Sequence, residues 1–199
     1  MWDWSYASPV PWEEHLEEIR VVTVSEGITS VGEEAFRRCV NLREVRLSDG
    51  IESVGAWAFS DCDALENLTI PCEVTSIEEG TFCGCDQLEN VNLPAGLTEI
   101  GEIAFSNCPL LREIDLPDGV LSIGKSAFYA CESLVSIRIP RNTAHIGAEA
   151  FGACFALERV ETDPENLSFR CDKNGVLYNN EGTILILYPC GNKSDEYSV

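Results

Sequence analysis

Apolar positions return along this chain on a fixed step of 23 residues. Phenylalanine recurs as Phe36, Phe59, Phe82, Phe105, Phe128 and Phe151. Cysteine follows three residues later, as Cys39, Cys62, Cys85, Cys108, Cys131 and Cys154. Leucine follows three later again, as Leu42, Leu65, Leu88, Leu111, Leu134 and Leu157. Two shorter periods share each unit. In the copy from Ile51 to Pro71, Ala58, Phe59 and Cys62 are spaced by one and three, which gathers them on one side of a short helical turn. Leu68 and Ile70 are spaced by two, which is one face of a strand. A fixed period of roughly 20–50 residues marks a solenoid, in which each unit touches only its neighbours. The pattern therefore predicts strands paired in parallel from copy to copy, forming one curved sheet over columns of buried Phe, Cys and Leu.

Turn residues punctuate the unit. The position after each strand reads Gly27, Gly50, Glu73, Gly96, Gly119 and Asn142. Glycine and asparagine tolerate positive φ, so this position is expected to form a left-handed corner, with Glu73 mildly strained. Gly32, Gly55, Gly101, Gly124 and Gly147 mark a second corner, broken by Glu78. Pro71, Pro94, Pro117 and Pro140 end strands where no ladder donor is needed.

The pattern divides the chain into three parts. Residues 1–18 read as an N-terminal lead-in and cap, with Trp2, Trp4 and Trp12 folding over the open end of the core. Residues 19–163 read as the solenoid, beginning with a partial repeat at Ile19, Val22 and Val24. Regularity fails after Val160. In residues 164–199, Asn174-Gly175 and Asn179–Gly182 bracket Val176–Tyr178, with Thr183–Tyr188 following, which reads as a β-hairpin. This unit closes the solenoid or bridges to further repeats, and Glu196–Val199 reads as the start of another strand.

Charge narrows the partners. Asp and Glu number 34 against 13 Lys and Arg, a net of −21. Such a surface repels phosphate backbones and anionic membranes, so no nucleic-acid binding is expected. No apolar stretch reaches the length of a bilayer span, so no membrane insertion is expected. The first residues have no basic segment followed by an apolar run, so no signal peptide is expected there. The chain is then either cytosolic or a piece of a longer protein.

The residues that could carry chemistry mostly read as structure. The six ladder cysteines read as a stack of small buried hydrophobes. Their inter-coil spacing of roughly 4.8 Å exceeds the usual disulfide Cβ separation of about 3.5–4.5 Å. Six reduced thiols are unusual in a secreted protein, a conflict that deep burial or an anaerobic habitat removes. Cys171 and Cys190 flank the hairpin, where a bridge between them is one alternative. Cys83-Gly-Cys85 offers only one of the two ligand pairs that zinc needs, so no metal or other cofactor is expected. His145 fills a slot held elsewhere by Ser30, Ser53, Ser76 and Ser122, and reads as a solvated surface residue. No nucleophile has a partner, and the strict step leaves no insertion from which to build a pocket. Asp172–Gly175 resembles the start of a calcium loop without its later ligands, and reads as a turn.

The outward strand positions form two polar ladders on the face expected to be concave. One is Glu44, Asn67, Asn90, Glu113, Ser136 and Arg159; the other is Arg46, Thr69, Asn92, Asp115, Arg138 and Glu161. They are the candidate protein-binding residues, set against the plainer reading of a solvated sheet face. On the opposite face Trp57 and Ile103 point outward, with Gly80 between them preventing a continuous apolar stripe.

The unit Val120-Leu-Ser-Ile-Gly-Lys-Ser-Ala-Phe-Tyr-Ala-Cys-Glu-Ser-Leu-Val-Ser-Ile-Arg-Ile-Pro140 resembles the repeat of the BspA-type leucine-rich repeat family. The resemblance covers roughly residues 19–163, and departs at Glu78, Thr81, Thr143 and Thr162. Asp172–Tyr178 through Leu187-Tyr-Pro189 is similar to the long irregular repeat of such proteins. The resemblance implies an α/β, β-rich, right-handed leucine-rich repeat solenoid, with a parallel concave sheet and short helical turns on the convex side. It also implies a non-enzymatic, adhesin-like, monomeric module of a longer secreted or cell-surface protein, binding host, matrix or surface proteins. The alternative is a spacer that displays another domain and has no ligand of its own.

Overall fold

The computed structural model of the chain describes residues 10–193. Trp2, Trp4 and Glu196–Val199, assigned above to the cap and to a further strand, lie outside those residues. A short 3-10 turn, Glu13–His15, leads into fifteen strands. These are β1 (Val21–Val24), β2 (Ser30–Val31), β3 (Glu44–Leu47), β4 (Ser53–Val54), β5 (Asn67–Thr69), β6 (Ser76–Ile77), β7 (Asn90–Asn92) and β8 (Glu99–Ile100). They continue with β9 (Ser122–Ile123), β10 (Ser136–Ile139), β11 (His145–Ile146), β12 (Arg159–Thr162), β13 (Phe169–Cys171), β14 (Leu177–Asn179) and β15 (Leu185–Leu187).

The 23-residue step becomes the register of a parallel β-solenoid. Val22 pairs with Val45, Leu68 with Val91, and Ile137 with Val160. The face carrying the longer strands is less continuous than the sequence predicts. It consists of three two-stranded ladders, β1–β3, β5–β7 and β10–β12. The fourth coil, that of Phe105, forms no strand at Glu113–Leu116, although Ile114 and Leu116 are buried. Burial fixes which side chains point inward. It does not oblige neighbouring backbones to approach within hydrogen-bond reach. The short strands run more evenly, with β6-β8-β9-β11 forming one four-stranded parallel sheet.

The turn side corrects two expectations. Among the described residues no repeat contains a helix, so the α/β assignment and the helical turns do not hold. Two left-handed residues flank each phenylalanine instead. Trp57 and Asp61, both with φ 57°, lie either side of Phe59, and the same holds from Glu34 and Arg38 through Glu149 and Ala153. A helix needs negative φ throughout, so two left-handed residues four apart prevent it. They turn alternate amides along the solenoid axis. The N–H groups of Trp57, Phe59 and Asp61 donate to the carbonyls of Glu79, Thr81 and Cys83 in the next coil, at 2.9, 2.9 and 2.7 Å. This ladder repeats from coil to coil as far as Ala130 donating to Gly152. The left-handed corner is therefore at these positions. Of the six residues expected to form it, only Gly27 has positive φ.

The second row of glycines has a different cause. A Cβ on Gly55 would lie 2.6 Å from the Glu33 nitrogen, and one on Gly147 would lie 2.3 Å from the Lys125 nitrogen. Successive backbones touch at these two glycines, leaving no room for a side chain there, whereas Glu78 carries one in the same row.

Inside, the six phenylalanine rings stack with centroids 5.4–5.9 Å apart. Trp12 extends the stack, 5.4 Å from Phe36, and its indole N–H donates to the Ala35 carbonyl at 2.9 Å. It thereby satisfies an acceptor that has no earlier coil to serve it. The cysteine ladder has a role beyond apolar filling. Each thiol from Cys62 to Cys154 donates to the phenylalanine carbonyl of the preceding coil, at 3.1–3.3 Å. The threonines that depart from the repeat are satisfied too. Buried Thr81 donates to the Glu78 carbonyl at 2.9 Å, and buried Thr143 to the Val120 carbonyl at 2.8 Å.

Beyond the sixth coil the chain leaves the solenoid at Asn166. This residue occupies the slot of Ile51, Val74, Leu97, Val120 and Thr143, and is buried. Its amide donates to the Pro140 and Thr143 carbonyls at 2.6 and 3.1 Å, and accepts from the Ser168 and Phe169 amides at 2.8 Å each. An antiparallel sheet follows, in the order β13-β14-β15. Asp172 accepts from the amides of Asn174 and Val176, and Asn179 from those of Thr183 and Ile184. The Asp172 carboxylate thus shapes a turn, as an Asx motif does.

Candidate functional site

The register of the long strands sets the two polar ladders side by side on one face. Glu44, Asn67, Thr69, Asn90, Asn92, Arg138, Arg159 and Glu161 lie at exposed strand positions, and Ser136 is half-buried. Arg46 is an exposed member of β3. Glu113 and Asp115 are exposed in the coil that forms no strand.

The middle of the face is a neutral polar platform. The Asn90 amide donates to the Asn67 side-chain oxygen at 2.9 Å, and the Asn92 amide to the Thr69 hydroxyl at 3.1 Å. These bonds run alongside the β5–β7 backbone ladder. Arg43, Glu44, Glu66, Asn67, Asn90 and Asn92 bound an open groove of about 510 Å³ there. Each amide still has hydrogen-bonding capacity, since an Asn carries two donors and two lone pairs.

The arginines of the face are already engaged. Arg46 pairs with Glu44 of its own strand at 2.7 Å, and Arg159 with Glu161 at 2.9 Å. Arg138 is held by Asp118 at 3.2 Å and by Asp163. The ladders therefore offer hydrogen-bonding amides and hydroxyls in the middle, and beside them the acids Glu113 and Asp115, which form no ion pair among the described residues. Asp118 and Asp163 were missed in the sequence. Asp163 had a signal, since it stands where earlier coils carry strand-ending Pro71, Pro94, Pro117 and Pro140.

The turn face offers less. The Trp57 ring lies over Gly80, where a Cβ would come within 2.5 Å of it, and Arg37 sits 5.3 Å from the ring centre. Arg37 in turn bonds Glu34 at 2.6 Å. Gly80 thus seats the tryptophan as well as interrupting the apolar stripe.

All ten cysteines are free thiols. Cys190 lies beside Cys154, and Cys171 against the Thr162 hydroxyl, so the two are not bridged. Burial pushes the thiol of Cys39 up to about 11 and that of Cys154 up to about 12. It raises those of Cys62, Cys85, Cys108 and Cys131 further above the ordinary thiol range. A thiol held protonated is a poor nucleophile and oxidises slowly. Among the described residues no three His, Cys, Asp or Glu side chains are placed to hold a metal ion. None of the helices there is long and apolar enough to cross a membrane.

Known proteins share this architecture. A leucine-rich cell surface protein from Faecalibacterium prausnitzii is 34% identical over 85% of this chain and 46% of its own, with a TM-score of 0.74. A leucine-rich repeat protein from Bacteroides ovatus is 29% identical over 73% of this chain and 46% of its own, with a TM-score of 0.56. The pneumococcal vaccine antigen PcpA shares the fold at 19% identity and a TM-score of 0.67, over 90% of this chain and 49% of its own. The chain spans about half the length of these solved proteins. No curated protein matches it. The BspA type leucine rich repeat region matches in six copies, over residues 14–120 and 104–170. With those copies covering most of its length, the chain belongs to the BspA-type leucine-rich repeat family.

Proposed function

We propose that the chain is a non-enzymatic, adhesin-like module that binds a protein partner through its long-strand face. In this reading it works outside the cell, as part of a longer secreted or surface protein. In the same reading the lead-in of residues 1–18 serves as a cap to the binding solenoid of 19–163, and the unit of 164–199 closes it or bridges to further repeats. The observation that carries the reading is the platform of Asn67, Thr69, Asn90 and Asn92. It combines open amide capacity with a rigid backbone, and lies in a groove of about 510 Å³. Solenoids of this family are typically non-enzymatic, and a similar structure is described as a cell surface protein. The test is capture of matrix and surface proteins by the intact chain. Asn67→Arg with Asn90→Arg should weaken a captured partner by at least about tenfold. Glu102→Arg on the turn face should leave it unchanged. Binding that survives the paired change would move the site elsewhere.

A spacer role is the second reading. It is favoured by the internal pairing of Arg46, Arg138 and Arg159, which leaves few free charges to attract a ligand. Absence of any captured partner under all conditions would support it.

A further inference from the structure

The terminal sheet carries an unusual edge. Strand β15 is bonded to β14 on one side, and on its other side no strand lies among the described residues. Ile184, Leu185 and Ile186 are 56, 45 and 37% exposed in succession. No charged residue occurs between Glu181 and Lys193, and neither lysine nor proline blunts the run from Thr183 to Leu187. An exposed apolar edge without such gatekeepers is a template for another strand.

The charge distribution indicates which strand. Within residues 164–193 the acids Glu165, Asp172 and Glu181 are balanced by Arg170, Lys173 and Lys193. Asp195 and Glu196 follow, so the terminal unit, residues 164–199, carries a net of −2, five acids against three bases, while residues 1–163 carry −19. Two copies meeting along their coils would press acid against acid. Two copies meeting through this unit would bring together its nearly neutral surfaces instead.

We propose that the edge of β15, unpaired among the described residues, is a self-association surface, on which a second copy of the chain pairs antiparallel about a two-fold axis near Ile186. The contact is isologous, so the same residues serve both sides and the assembly closes at two copies. It joins the two three-stranded sheets into one of six strands. An edge this short buries well under the roughly 1,200 Å² of a stable interface, so the dimer exchanges with monomer. This departs from the monomer expected from the sequence, and does not depend on what the long-strand face binds.

Sedimentation velocity of the intact chain over a wide dilution series tests it. The wild type should show a reversible monomer–dimer equilibrium. Ile186→Lys, and separately the more exposed Ile184→Lys, should each raise the dimer dissociation constant at least about tenfold. Thermal melts matching the wild type would establish that both variants fold. Leu121→Lys, at an exposed apolar site on the solenoid, should leave the equilibrium unchanged. A wild type that stays monomeric throughout, a dimer indifferent to both β15 lysines, or one abolished equally by Leu121→Lys would each overturn the proposal.

Discussion

The regular coils and the terminal unit are held together by different chemistry. In the coils, one apolar set of phenylalanine, cysteine and leucine is used six times, and ring stacks on ring and thiol bonds carbonyl from coil to coil. In the terminal unit, Asn166, Asp172 and Asn179 each make bonds that no other residue duplicates. Repetition spreads stability over many equal contacts, so the loss of one is felt along the stack. Unique polar bonds concentrate it, so the loss of one should release a single region.

The largest test of this contrast is alkaline pH. An unfolded thiol ionises near its ordinary value, while the buried ladder thiols hold their protons to about 11 or beyond. Above pH 9 the folded state therefore binds more protons than the unfolded one, and stability falls as pH rises. Every ladder thiol contributes in this direction, so the ladder loses several kcal/mol, on the order of 1 kcal/mol per thiol, by pH 10. Urea midpoints at pH 7.5 and 10 would measure it, and Cys85→Ala should remove about one sixth of the slope. A midpoint independent of pH would mean that the thiols are not interior.

Phe105→Ala should cost about 3–5 kcal/mol, and should lower the midpoint of every coil together. Asn166→Ala should cost about 2–4 kcal/mol, because two carbonyls and two amides lose their partner at once. Hydrogen exchange separates the two cases. The asparagine change should strip protection from β13–β15 while the coils keep theirs. Uniform loss of protection would show that the unit and the coils fold as one. The smallest effect has the opposite sign. Ala130 is held at φ 56°, so Ala130→Gly should stabilise by about 0.5–1 kcal/mol, visible as a raised Tm.

The same contrast explains what could be read in advance. The phenylalanine, cysteine and leucine columns were legible because a buried stack imposes one residue type at one interval. Asn166 was not, because its slot is apolar in four of the five earlier coils and the carbonyls it donates to lie 23 and 26 residues away. The polar ladders were legible as positions, since strand alternation fixes which side chains face outward. Their pairing was not. Arg138 turns to Asp118 and Asp163, neither of which shares its ladder.

Sequence alone determined the repeat length, the register, the contents of the core and the Trp12 end cap. All of these follow from which side chains must leave water, and that is a property of residue type and spacing. Tertiary structure alone decided the rest: left-handed turns in place of helices, a long-strand face broken into three ladders, and arginines already claimed by their neighbours. These depend on where a backbone amide in one coil finds a carbonyl in the next, a geometry that exists only once the coils are stacked.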